Sequence, residues 1–147
     1  MPDGTAAQEL GSIAHGPLLL AAVDGVSVGL RCVFAHRTGL HLPLVLLARG
    51  VHADAANRRV RGHGDELRVE LGSRGGAARV RLDAFATLGA GGDDEYRQES
   101  SYWHAGLPHD PYLIVTVSWP AIGLPAVTTP LPLPGLADLA RAAITLP

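Results

Sequence analysis

The sequence is poor in the features that define several common classes of protein. Its 147 residues include one cysteine, Cys32, so neither an intramolecular disulfide nor a thiolate metal cluster can form. A single free cysteine is also compatible with a reducing compartment. The formal net charge is only −2, which gives no long-range attraction to nucleic acid or to anionic lipid. We therefore expect binding partners that are neither nucleic acids nor membranes.

Long apolar runs are missing as well. The longest stretches, residues 17–23 and 42–48, fall well short of the ~20 residues that a helix needs to cross a bilayer. The first residues include Asp3 and Glu9 and no basic cluster, so we expect no secretory signal. These features together predict a cytoplasmic protein.

Lysine is absent, since all twelve basic residues are arginine, and this composition is typical of a GC-rich genome. The glycine-rich stretch 89–92 is therefore not followed by the Lys-Ser/Thr of a phosphate-binding loop. No Gly-x-Ser-x-Gly motif occurs, and two serines at 100–101 near His104 do not by themselves make a catalytic triad. The sequence predicts no cofactor and gives little support to an enzymatic function.

What the sequence does contain is the alternation typical of β-strands. The clearest strand runs from Tyr112 to Trp119, because β-branched and aromatic residues dominate it and a proline flanks each end. One face of this strand is wholly apolar: Leu113, Val115, Val117 and Trp119. A second strand over 26–34, entered through an Asp-Gly turn, is expected to place Cys32 in the core. Further strands are expected at 18–23, 40–48, 67–71, 78–85 and 121–129.

Seven strands joined mostly by hairpins predict an all-β (mainly) fold, an antiparallel β-sandwich with a short C-terminal helix. A partly open barrel is the alternative. The length predicts one domain over residues 17–147, after a flexible N-terminal tail over residues 1–16. No strand alternation is visible over 49–64 or 88–101, so both are expected to be loops, the second a flexible one.

Several short motifs resemble those of a family of uncharacterised small β-rich proteins from high-GC bacteria. The similarity covers residues 18–147 and includes the alanine- and leucine-rich final helix. The motifs are Asp24-Gly25, Arg37-Thr38-Gly39, the glycines at 89–92, Tyr102-Trp103, Leu107-Pro108 and the run from Trp119 to Leu124. The resemblance implies no activity, because none is known for the family.

Two His-x-Asp pairs lie in the segment expected to be the first loop. In an extended chain, residues two apart point to the same side, and imidazole and carboxylate groups together suit zinc or another divalent ion. The sequence therefore offers a metal site as one hypothesis, with ordinary solvated loop residues as the alternative. The four candidate ligands are His52, Asp54, His63 and Asp65.

Two other groups are candidates for binding. Tyr102 and Trp103 follow the expected flexible loop, where exposed aromatic side chains often anchor a partner. Their alternative role is to plug one end of the sandwich. An arginine cluster could grip a phosphate or carboxylate, or it could simply be a solvated loop, and it comprises Arg58, Arg59 and Arg61.

The strand over 40–48 is apolar on both faces. Its even-numbered leucines form one face, while Val45 and Leu47 continue the apolar character on the other, and Pro43 favours an edge position or a bulge. The outer face should therefore be covered, either by the terminal helix or by a second copy of the chain. The favoured hypothesis is a non-enzymatic interaction or structural module that forms a homodimer or binds another protein. A small-ligand or metal-binding domain is the alternative.

Overall fold

Antiparallel β-sheets make up most of the protein, whose structure, a computed structural model, describes residues 1–59, 66–76 and 78–147. In chain order the described elements are α1 (Gly4–Ala7), β1 (Glu9–Leu10), β2 (Ser12–His15), β3 (Leu18–Val23), β4 (Val26–Leu30), β5 (Val33–His36), β6 (Gly39–Arg49), α2 (Val51–Arg59), β7 (Arg68–Ser73), β8 (Arg79–Leu82), β9 (Ala84–Gly91), β10 (Glu95–Ala105), β11 (Tyr112–Trp119), a 3₁₀ turn (Pro120–Ile122), β12 (Leu124–Pro132), α3 (Leu136–Arg141) and β13 (Ile144–Thr145).

The largest sheet has seven strands and is centred on β6. Its order is β2-β5-β6-β10-β9, and β4 pairs with β6 beyond the end of β5, with β3 outside β4. The second sheet has the order β12-β11-β7-β8, and the short strands β1 and β13 form a third. Both larger sheets are open, which is the arrangement of a sandwich rather than a barrel.

The core lies between the inner faces of the two larger sheets. The β6 leucines at 40, 42, 44 and 46 are at most 1% exposed, and the predicted apolar face of β11 is at most 4% exposed. Both sets belong to one cluster of buried side chains, which also includes Leu136 and Ala140 of α3. The predicted mainly β fold with a short C-terminal helix is therefore confirmed.

The second predicted strand is interrupted, which changes the face that its last residues occupy. The prediction of a continuous strand over 26–34 is wrong, because pairing breaks at Arg31 and Cys32 between β4 and β5. As a result the core receives Val33 and Ala35, Cys32 is only half-buried, and Phe34 turns to the outer face beside His41.

Pro43 lies opposite this interruption. An edge position or a bulge is predicted for it, and the edge position is wrong, because β6 has β10 on one side and β4 and β5 on the other. The bulge agrees with the register, because residues 31–33 lie opposite only 42–43 between the pairs Leu30–Leu44 and Phe34–His41. The backbone N–H of Arg31 donates to the carbonyl oxygen of Pro43 at 2.9 Å. In an antiparallel strand the N and O of one residue point the same way, so the donor that proline lacks faces the break between β4 and β5.

The two predicted loops contain regular structure. Helix α2 occupies 51–59, and its buried residues Ala53 and Ala56 lie one turn apart on the core side. Residues 88–101 belong to the β9–β10 hairpin, so the prediction of a flexible loop is wrong. The glycines of this segment let other side chains approach closely: a Cβ at Gly89 would lie 2.8 Å from the hydroxyl oxygen of Tyr96, and one at Gly91 would overlap Asn57.

The first sixteen residues also contain regular structure, whereas the sequence predicts a loose tail. Asp3 caps α1 by accepting a hydrogen bond from the N–H of Ala6 at 2.9 Å. Strand β1 pairs with β13, and β2 pairs with β5. These partners are distant in sequence, which is why no local pattern announces the strands.

Candidate functional site

The outer face of the seven-stranded sheet is the surface that best matches a predicted site. Along β6 the even-numbered residues point into the core, so Pro43, Val45 and Leu47 point outward. Val45 is half-buried and Leu47 is 36% exposed. The structure therefore places both predicted interface residues side by side on an outer surface.

This surface continues onto the neighbouring strands. The cross-strand register places five residues in one row over the outer face: Leu19, Gly29, Val45, Glu99 and Leu88. At the two ends of the row, Leu19 is 62% and Leu88 is 71% exposed. We call this row, together with Leu47, the outer row. It is apolar apart from Glu99.

Glu99 is held by two arginines. Arg31 reaches across β6 from the break between β4 and β5 to bind Oε1 of Glu99, and Arg97 binds the same oxygen at 3.1 Å. The hydrogen bond from Arg31, followed by that from Arg97, lowers the pKa of Glu99, so its carboxylate stays ionised. All three side chains are about half exposed, at 42–53%. Glu99 is the cross-strand partner of Val45, so this ion pair lies beside Val45 on the outer face.

The terminal helix does not cover the outer row. Its buried residues, Leu136 and Ala140, belong to the core between the sheets. The helix packs against β5 and β2 at one end of the large sheet. The sequence allowed two ways to cover the outer face, the terminal helix or a second copy of the chain. The terminal helix packs elsewhere, so it does not provide that cover.

The predicted aromatic anchors lie in buried positions. Tyr102 and Trp103 belong to β10 and are 3% and 7% exposed. The hydroxyl of Tyr102 donates to the carbonyl oxygen of Leu67 at 3.4 Å, and burial raises the pKa of Tyr102 to about 12. Trp103 packs edge-on to His36, with ring centroids 5.7 Å apart. Neither ring is accessible to a partner at the surface. Their packing fits the alternative role, in which they close one end of the sandwich.

Two of the predicted metal ligands, His52 and Asp54, lie in helix α2 rather than in an extended loop. His52 and Asp54 are two residues apart in α2, so they point in different directions rather than to one side. Nδ1 of His52 donates to the carbonyl oxygen of Ile122 at 2.7 Å, while Asp54 is exposed. His63 and Asp65 lie outside the described residues. Within the described ranges, no group of three or more His, Cys, Asp or Glu side chains is arranged to hold a metal ion.

The arginine cluster is only partly described. Arg58 is exposed near the end of α2, whereas the Arg59 side chain and all of Arg61 lie outside the described part of the chain. Binding of a phosphate or carboxylate by this cluster stays a prediction.

None of the helices in the described ranges is long and apolar enough to cross a membrane.

A buried polar cluster that the sequence does not reveal ties the N-terminal segment to the large sheet. The fully buried carboxylate of Glu9 accepts from Nη1 of Arg37 and lies 3.2 Å from Nδ1 of His36. Thr38 donates to Asp3 at 3.0 Å, which adds a second tie to the same turn. Because these partners lie 27 or more positions apart, no short motif could have indicated the cluster.

Comparisons of the chain with protein-family models, curated proteins and solved structures give no match. The resemblance seen in the sequence therefore stays a prediction.

Proposed function

We propose that the protein is a non-enzymatic interaction module that associates with a second copy of itself through the outer row. The observation that supports this is a row across five strands that is apolar apart from Glu99, has exposed leucines at both ends and is not covered by the terminal helix. The outward face of a sheet normally turns polar where it meets water. A contiguous exposed apolar patch is typical of an interaction surface.

The charges on β10 favour a second copy over an unrelated partner. On the outer face of this strand, Glu95, Arg97 and Glu99 alternate in sign. In a two-fold contact each residue meets its counterpart reciprocally. If two β10 strands cross antiparallel over each other, Arg97 of each copy faces Glu99 of the other. The outer face of β10 is thus complementary to itself in charge, and the outer row beside it adds apolar contact.

The proposed module acts in the cytoplasm. One half-buried cysteine and no disulfide in the sequence support a reducing compartment. The self-association brings together chains of low net charge, so long-range repulsion between copies is small.

The test is a double substitution in the centre of the outer row. Val45→Asp with Leu47→Asp should give a folded monomer, because each dimer would then bury four unpaired carboxylates. Light scattering measures the mass, and far-ultraviolet circular dichroism shows whether the β-structure is intact. Should the double variant unfold, Leu88→Asp at the exposed end of the row tests the same surface with less risk to the core.

The matched control is Val80→Asp. Val80 is 53% exposed on β8 of the other sheet, so this variant adds one carboxylate away from the outer row, as Leu88→Asp adds one at the end of the row. The proposal requires the control to remain a dimer. A folded Leu88→Asp or double variant that is still dimeric would show that the outer row is not the contact.

A further inference from the structure

A cavity of about 570 Å³ lies between the N-terminal segment and the outer face of the large sheet. This volume falls within the range of roughly 300–1,000 Å³ that is typical of small-molecule sites. Most of its wall is apolar, contributed by the first residues, α1, β1 and the sheet: Met1, Pro2, Ala6, Ala7, Leu10, Phe34 and Phe85. The polar groups that line it are few: Glu9, His36 and His41.

The one carboxylate in the wall is already neutralised. Burial alone would raise the pKa of Glu9, but hydrogen bonds from Arg37 and His36 outweigh it and lower the pKa below its usual value. The carboxylate therefore stays ionised and paired with the Arg37 guanidinium. Among the described side chains that line the cavity, none offers a charged ligand an opposite charge that is not already paired, and burying an unpaired charge is costly.

His41 gives the cavity an uncharged polar group between two aromatic rings. Its imidazole lies between Phe34 and Phe85, with ring centroids 5.4 and 5.2 Å away. Burial, followed by repulsion from His36, lowers the pKa of His41, so the ring is neutral at neutral pH. Nε2 lies 2.9 Å from the hydroxyl oxygen of Ser101. Among the described residues, the other ring nitrogen has no hydrogen-bond partner, which leaves it for a ligand.

We propose that this cavity binds a small uncharged molecule that combines an aromatic ring with one hydroxyl or carbonyl group. The ring packs against the phenyl groups of Phe34 and Phe85, and the polar group hydrogen-bonds to the imidazole of His41. Aromatic pairs of this kind are favourable beyond the area that they bury. No residue of the cavity wall belongs to the outer row, although both lie on the outer face of the large sheet.

Isothermal titration calorimetry of the full chain at neutral pH provides the test, with naphthol as the probe. Naphthol has two fused rings, one hydroxyl and no charge. Naphthoate is the matched anion, with the same rings and a carboxylate. We expect naphthol to bind at one saturable site per chain and naphthoate to bind at least about tenfold more weakly, because its charge has no free partner.

Two substitutions locate the binding. Ala7 is an exposed residue of the cavity wall, so Ala7→Phe should fill the space and abolish naphthol binding. Ala126→Phe, at an exposed position on β12, is the control and should bind naphthol like the unmodified protein. His41→Phe keeps the aromatic stack and removes the nitrogens, so it should weaken naphthol binding roughly threefold to tenfold, as the loss of one neutral hydrogen bond does.

Failure of naphthol to bind the unmodified protein would overturn the proposal, as would unchanged binding by a folded Ala7→Phe. Naphthoate binding as tightly as naphthol would contradict the uncharged ligand class. Unchanged affinity in a folded His41→Phe would contradict the assigned hydrogen bond.

Discussion

The imidazole of His52 donates a hydrogen bond from Nδ1 to the carbonyl oxygen of Ile122, at 2.7 Å, and so joins helix α2 to the turn after β11. A carbonyl can only accept, so Nδ1 carries the proton. The same ring lies against two turn glycines with positive φ, Gly25 at 78° and Gly123 at 94°. A Cβ at Gly123 would lie 2.6 Å from Nδ1 of His52. A histidine that the sequence offers as a metal ligand is therefore packed as part of the fold.

Because of this packing, we expect Gly123→Ala to lower the free energy of unfolding by more than backbone strain alone would. The control is Gly50→Ala, where φ is 59° and no atom lies within 4 Å of the added methyl group. Gly50→Ala should lower the free energy of unfolding by roughly 1–2 kcal/mol, the cost of a left-handed L-residue. Gly123→Ala should lose a further ~1–3 kcal/mol through overpacking against His52. Urea unfolding measures the free energy for both variants. Equal losses would mean that the His52 side chain moves aside at no cost in stability.

The burial of Trp119 leads us to expect a large loss of stability when its side chain is truncated. Its side chain is 2% exposed and meets Tyr96 in an edge-on contact with ring centroids 6.4 Å apart. Trp119→Ala should lower the free energy of unfolding by about 3–5 kcal/mol, the usual cost of emptying a buried aromatic site. Chemical denaturation gives the value. A loss under about 1 kcal/mol would place Trp119 at the surface and would refute its position in the core.

The burial of Tyr102 predicts how stability changes in alkali. Burial raises the pKa of this phenol from 10.0 to about 12, so the folded protein keeps a proton that the unfolded chain has released. Its contribution is complete below about pH 10 and is lost as the pH rises towards 12, because the unfolded state binds fewer protons there.

Denaturation midpoints measured between neutral and alkaline pH test this directly. Tyr102→Phe should make the alkaline decline shallower than in the unmodified protein. Some decline should remain, since burial also raises the pKa of Tyr96. Identical slopes in the two proteins would mean that Tyr102 ionises in the folded state as it does in water.

The sequence predicts an element well where one short stretch holds all the relevant information. Strands β3 and β11 have the predicted bounds, and the turn at 24–25 pairs Val23 with Val26 as expected. Alternating burial and an Asp-Gly turn are local features, so they can be read without knowledge of the rest of the chain.

Elements that depend on distant partners could not be predicted in this way. The glycines of β9 suggest flexibility until β10 lies beside them, and β1 gains its only described strand partner from the opposite end of the chain. The two-residue break at Arg31 reverses the alternation and moves Phe34 into the cavity wall. Helix α2 could have been found from its three alanines, which are strong helix formers, but the arginines beside them suggested a solvated loop.

The mass of the unmodified protein in solution tests the proposed self-association most directly. Light scattering coupled to size-exclusion chromatography at micromolar concentration should report two chains of 15.3 kDa in one particle. The dimer should also dissociate on dilution, as a two-fold contact between identical surfaces does. A mass of one chain at every concentration up to the highest measurable would contradict the account, because the outer row would then be exposed to water without a partner.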